Sequence, residues 1–235
     1  ERLAKLSDGW DEPWAFPPSV GAAIRHAASQ AEDAVLRHYA IKTIENVLCV
    51  TAAADAPGAI GGDFARADVL AELACASGSA NLPEPLRASA ASAAAHALRL
   101  RPEHATSWLR EPKLGNLLAS ARDGTPRLAQ AACVCIAAAL CDGEARSYLC
   151  GPRAPPALKR ALIRCAAATM GRPQPLVRAK GCLAASLLLS LGVPWLVLGA
   201  EARLFAEIDG VMDAPPPNPS EGEIAAQRAR VLEQA

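Results

Sequence analysis

Hydrophobic positions along this chain recur at helical spacing in four segments that overlay without gaps: 40–48, 90–98, 132–140 and 181–189. Their starts lie 50, 42 and 49 residues apart. The first, second, fifth, eighth and ninth positions are small or apolar in every one. They read Ala40, Ile41, Ile44, Val47 and Leu48, then Ala90, Ala91, Ala94, Ala97 and Leu98. The third segment supplies Ala132, Cys133, Ile136, Ala139 and Leu140, and the fourth Gly181, Cys182, Ala185, Leu188 and Leu189. That spacing draws one stripe along a helix, and each stripe closes on Leu. The small residue at each start would let neighbouring helix axes come close.

Other helical stretches alternate with these, each bounded by breakers. The pattern predicts helices over 19–31 after Pro17-Pro18, 63–76 after Gly61-Gly62, 104–121 with a bend at Pro112, and 155–170 after a Gly-Pro loop. Another runs from Pro194 to about residue 209. A helix, a short turn and a second helix in every 40–50 residues is the grammar of HEAT and armadillo arrays. The expected fold is therefore all-α, a right-handed α-solenoid of about four repeats over 19–212. An aromatic, Pro-rich capping segment (1–18) precedes it. The Pro-rich stretch 213–222 (DAPPPNPSEG) reads as an extended linker, and 223–235 as a terminal helix through Ile224, Arg228, Val231 and Leu232, either the start of a further repeat or a docking helix.

Composition agrees with helix. Aromatics are 4% of the chain and Ala is the commonest residue, which favours helix over strand. With 24 basic and 24 acidic side chains there is no net charge to draw the protein to a nucleic acid. No basic start leads into an apolar run, so no signal peptide is expected, and the absence of an initial Met implies a segment of a longer chain. The uncharged run 181–200 has the length of a membrane span, yet Gly192, Pro194 and Gly199 interrupt it, so a buried helix pair is expected there and no membrane. Eight cysteines sit mostly in apolar segments without C-x-x-C spacing, and the four histidines do not accompany them. They read as small, reduced core residues of a protein in a reducing compartment.

The sequence contains no P-loop, no kinase signature, no H-E-x-x-H and no G-x-S-x-G. Folding could assemble a Cys–His pair, for example Cys75 with His96, but nothing in the sequence signals the electropositive pocket and orienting third group that a nucleophile needs. No enzymatic role, cofactor or metal is expected of this segment.

Three surfaces are candidates for binding. Arg37, Arg87 and Arg178 each precede a repeat segment by three residues, where the third repeat has Ala129. With Lys42, His38 and Lys180 they would form a basic strip suited to acidic partners, unless they pair with Glu32, Asp33 and Glu84. Asn46 holds the place of a peptide-gripping Asn, but its register partners are His96, Ala138 and Leu187, so an Asn ladder is missing. Trp10, Trp14 and Phe16 gather three of the nine aromatics into seven residues, either as a cover over the first helix pair or as a partner's anchor.

The stretch RHYAIKTIENVL (37–48), following WDEPWAFPPSV, resembles the helical repeat region of the Fused and Unc-51-like kinase 4 group. The resemblance covers chiefly residues 10–50. It implies a non-catalytic scaffold in the central apparatus of a ciliary or flagellar axoneme, or in another microtubule assembly. Its partners would be axonemal or microtubule proteins and a Fused-type kinase or pseudokinase. It transfers no catalytic residue, since the kinase domain of that family lies upstream of its repeats. The alternative is an armadillo-type adaptor or transport receptor binding extended acidic or mixed peptides.

Overall fold

In the computed structural model, the described residues are 18–53 and 59–212. Among them are thirteen α-helices, one short 3₁₀ turn (Pro102–His104) and no strand. The helices are α1 (Pro18–Gln30), α2 (Ala34–Ala53), α3 (Ala59–Phe64), α4 (Ala67–Ser77), α5 (Glu84–Leu100), α6 (Ala105–Leu109) and α7 (Leu114–Asp123). They continue with α8 (Pro126–Ala139), α9 (Gly143–Cys150), α10 (Pro156–Met170), α11 (Pro175–Leu189), α12 (Val193–Glu201) and α13 (Leu204–Met212). Proline opens α5, α8, α10, α11 and α12 in the first turn, where its missing N–H costs nothing. The capping segment up to residue 17, the linker and the terminal helix read from the sequence lie outside the described residues.

The four overlaid segments fall on α2, α5, α8 and α11, and these helices pack in chain order: α2 on α5, α5 on α8, α8 on α11. A second series, α4, α7, α10 and α13, also packs in order, and α1, α4, α7 and α10 each pair with the helix of the first series that follows it. The stripes make the contacts. Ile41, Ile44 and Leu48 are buried, as are Ala90, Ala91, Ala94, Ala97 and Leu98, and Ala132, Cys133, Ile136, Ala139 and Leu140. The last stripe buries Gly181, Ala185 and Leu188 but leaves Cys182 and Leu189 half-buried.

Several boundaries differ from expectation. The stretch 63–76 divides into α3 and α4 because Arg66 is extended (φ −69°, ψ 155°), and Gly61-Gly62 lies inside α3. The last helix divides at Arg203, whose positive φ of 57° ends a helix as glycine often does. Helix α9 was not foreseen. It buries only Ala145 and Leu149, too few to draw a stripe, and its start is set by the Asp142 carboxylate accepting from the Ala145 N–H at 2.7 Å. The 181–200 run is two helices joined at Gly192, where φ is 109° and a side chain would be strained. Among the described residues, no single helix is long and apolar enough to cross a membrane.

The cysteines divide by place. Cys133, Cys135 and Cys165 are core residues, whereas Cys49, Cys141 and Cys150 are exposed and Cys75 and Cys182 half-buried, all as free thiols. Reading all eight as core was too broad, because Ala-rich helices accept Cys on either face at little cost.

Every described large hydrophobic that is exposed lies before residue 51 or after residue 175, such as Val35, Leu36 and Tyr39 at one end and Val193, Leu196 and Val197 at the other. Between them each apolar face has a neighbour.

The spacing between α10 and α11 is set by Gly181. A Cβ built there would come within 2.7 Å of the Met170 amide nitrogen and 3.0 Å of the Thr169 carbonyl carbon. Gly115 in α7 has nothing within 4 Å of a built Cβ. Gly181→Ala should therefore cost about 1–3 kcal/mol through overpacking. Gly115→Ala should stabilise by about 0.4–1 kcal/mol, by restricting the unfolded chain. Equilibrium urea unfolding of the two variants measures this difference in sign.

Candidate functional site

The basic register predicted from sequence takes a structural form. Arg37 donates from Nε to the Ala28 carbonyl near the end of α1 (2.9 Å), and Arg87 donates from Nε to the Ser77 carbonyl at the end of α4 (3.0 Å). Each thus satisfies one of the carbonyls that a helix C-terminus leaves open, where the dipole also favours a cation. Elsewhere Arg172 Nη2 reaches the Arg122 carbonyl in the last turn of α7 (2.6 Å), and Lys159 Nζ the Gly151 carbonyl after α9 (3.0 Å). Arg37 and Arg87 are therefore spent on helix ends. Two of the three carboxylates named as their partners are occupied otherwise. Asp33 caps α2 by accepting from the Val35 N–H (2.7 Å), and Glu84 accepts from the Thr125 N–H (2.6 Å).

A polar cluster across α2, α5 and α8 remains. Glu45, 8% exposed on α2, takes Lys42 Nζ at 2.7 Å and Arg127 Nη2 of α8 at 3.5 Å. Arg127 Nη2 also donates to the Ser89 hydroxyl of α5 at 3.0 Å. Two cations thus share one carboxylate, leaving a positive excess on this face. His96 of α5 lies near it: burial first, and then Arg99, lower its pKa, while Glu45 acts to raise it. Its Nδ1 is buried without a hydrogen-bond partner. Asn46 is exposed on the same helix as Glu45. Arg178 and Lys180 on α11 are half-buried and have no ion pair among the described residues.

The sequence reading missed Glu45, Arg127 and Ser89. The i, i+3 pair Lys42–Glu45 was a usable signal, but the long-range link to Arg127 had none. Cys75 does not meet His96; its Sγ lies 3.1 Å from Lys113 Nζ. The Cys135 thiol donates to the Ala91 carbonyl (3.0 Å), and burial pushes it well above the ordinary thiol range. Among the described residues, no three His, Cys, Asp or Glu side chains converge to hold a metal ion. Trp10, Trp14 and Phe16 lie outside the described residues.

No family model matches the chain, and no curated protein matches it at a significant level.

Two outcomes follow. Arg87→Met strands the buried Ser77 carbonyl and should lower unfolding free energy by about 1–3 kcal/mol, whereas Arg178→Met should change it by no more than about 0.5 kcal/mol; thermal and urea unfolding compare them. Glu45→Gln removes the charge that favours protonated His96, so the His96 pKa should fall further below its ordinary value, read by NMR titration of the imidazole.

Proposed function

We propose that this chain is a non-catalytic scaffold for protein–protein interaction, built as a right-handed α-solenoid of armadillo-type repeats. The observation that carries this reading is the in-order packing of the four overlaid helices. The short helices support the armadillo form: α3, α6 and α9 each precede a pair of longer helices, giving three helices per repeat. Such arrays offer extended surface and owe their stability to neighbouring repeats. The resemblance at 37–48 supports a place among microtubule-bound proteins, in the central apparatus of a motile axoneme or a related assembly, beside a Fused-type kinase or pseudokinase. Tagged protein expressed in ciliated cells should sediment with demembranated axonemes and stay with them after detergent washing. Full recovery in the soluble fraction would contradict the axonemal placement.

A second reading rests on the positive excess around Glu45 and on unpaired Arg178 and Lys180. These residues suit an adaptor that takes acidic or mixed extended peptides along the helices of the first series. Arg127→Glu together with Lys180→Glu should abolish salt-sensitive capture of acidic peptides in fluorescence anisotropy. Unchanged capture would remove this reading.

A further inference from the structure

The end of α4 and the start of α7 hold a thiol and an amine side by side. Cys75, half-buried on α4, has its Sγ 3.1 Å from Lys113 Nζ, and the same Nζ lies 3.1 Å from the Ser79 hydroxyl oxygen. Ser79 in turn donates to the Cys75 carbonyl at 2.8 Å. Lys113 makes no ion pair among the described residues, so its ammonium is committed to a thiol and a hydroxyl. No other described thiol has a cationic side chain at hydrogen-bond distance: Cys135, Cys141 and Cys150 face carbonyl oxygens, and Cys133 and Cys165 face each other.

The backbone fixes this meeting. Gly78 lies against the Lys113 carbonyl, and a Cβ built at Gly78 would come within 2.8 Å of the Lys113 Cβ. The lysine side chain therefore leaves its backbone beside the last turn of α4, within reach of residue 75. Two reactive groups 38 positions apart in the chain are thus held as neighbours, which replaces a chance encounter with a fixed one.

We infer that Cys75 and Lys113 form a site of oxidative modification, where hydrogen peroxide joins them through an S–O–N bridge. One peroxide molecule takes two electrons from sulfur, turning the Cys75 thiol into a sulfenic acid and releasing water. The Lys113 ammonium gives a proton to solvent. A second peroxide molecule takes two electrons from nitrogen as the sulfenic oxygen bonds to it; the O–H hydrogen and one N–H hydrogen leave with that peroxide as two molecules of water. The 3.1 Å gap leaves room for one oxygen atom and is far longer than a direct S–N bond. The flexible lysine stem supplies the small remaining approach. The bridge ties α4 to α7, consecutive members of the second helix series, and its formation does not depend on the scaffold reading.

The test treats the full chain with hydrogen peroxide, digests it and maps the peptides by mass before and after dithiothreitol. A peptide pair joined through Cys75 and Lys113 should appear, one oxygen heavier and two hydrogens lighter than its halves, a net gain of about 14 Da. Dithiothreitol should return it to two free peptides. Lys113→Arg, which keeps the charge, should lose the pair and leave the Cys75 sulfenic acid open to dimedone, with circular dichroism reporting the fold. The unaltered chain oxidised in denaturing urea should also lose the pair, a control that needs no variant. Three results would overturn the inference: Cys75 recovered unjoined from Lys113 after peroxide, a joined pair lacking the added oxygen, or a joined pair that forms equally well in urea.

Discussion

Close approach between small-faced helices is the constraint on which the rest of this structure depends. Where α5, α8 and α11 meet, the buried positions are mostly Ala, Gly and Cys, so backbones pack near one another and interior density is kept without large side chains. A side chain added at Gly181 would strike the backbone of α10, which fixes that spacing from the inside. The same feature explains the composition. Ala supplies both helix propensity and thin contact faces, so a chain of this kind needs few aromatics for its core.

Many short helices bring many helix ends, and every end leaves carbonyls to satisfy. Part of that demand falls on basic side chains: Arg37, Arg87, Lys159 and Arg172 each donate to a carbonyl at or near a helix C-terminus, and two of these bonds, from Arg37 and Arg87, run directly from one helix to another. The cations thereby fasten neighbouring elements. Of the others, Lys42 and Arg127 are held at Glu45, while Arg178 and Lys180 make no ion pair among the described residues. Position in the repeat register does not separate the two roles; the location of the nearest open carbonyl does.

Much of the helical arrangement was legible in the sequence, because stripes such as Ile41, Ile44 and Leu48 report directly which face is buried. The division at Arg66 and the left-handed turn at Arg203 were not, since each depends on backbone angles that those side chains do not dictate. Helix α9 escaped because its buried face holds little beyond Ala145 and Leu149. For the candidate site, Lys42 and Asn46 were visible as polar interruptions. The Glu45–Arg127 link joins residues 82 positions apart and arises only when α2 and α8 flank α5. Arg87 shows the reverse problem: a charge that looked like surface from its register is 8% exposed and tied to Ser77.

The central claim is that stability here passes from neighbour to neighbour along the series of helices. Amide hydrogen exchange on an Ala94→Leu variant, which overfills the α5 face, tests it most directly. The account predicts lost protection in α2, α4, α5 and α8, with α12 and α13 retaining the protection of the unaltered protein. A uniform loss across all the helices would mean one undivided core and would contradict it.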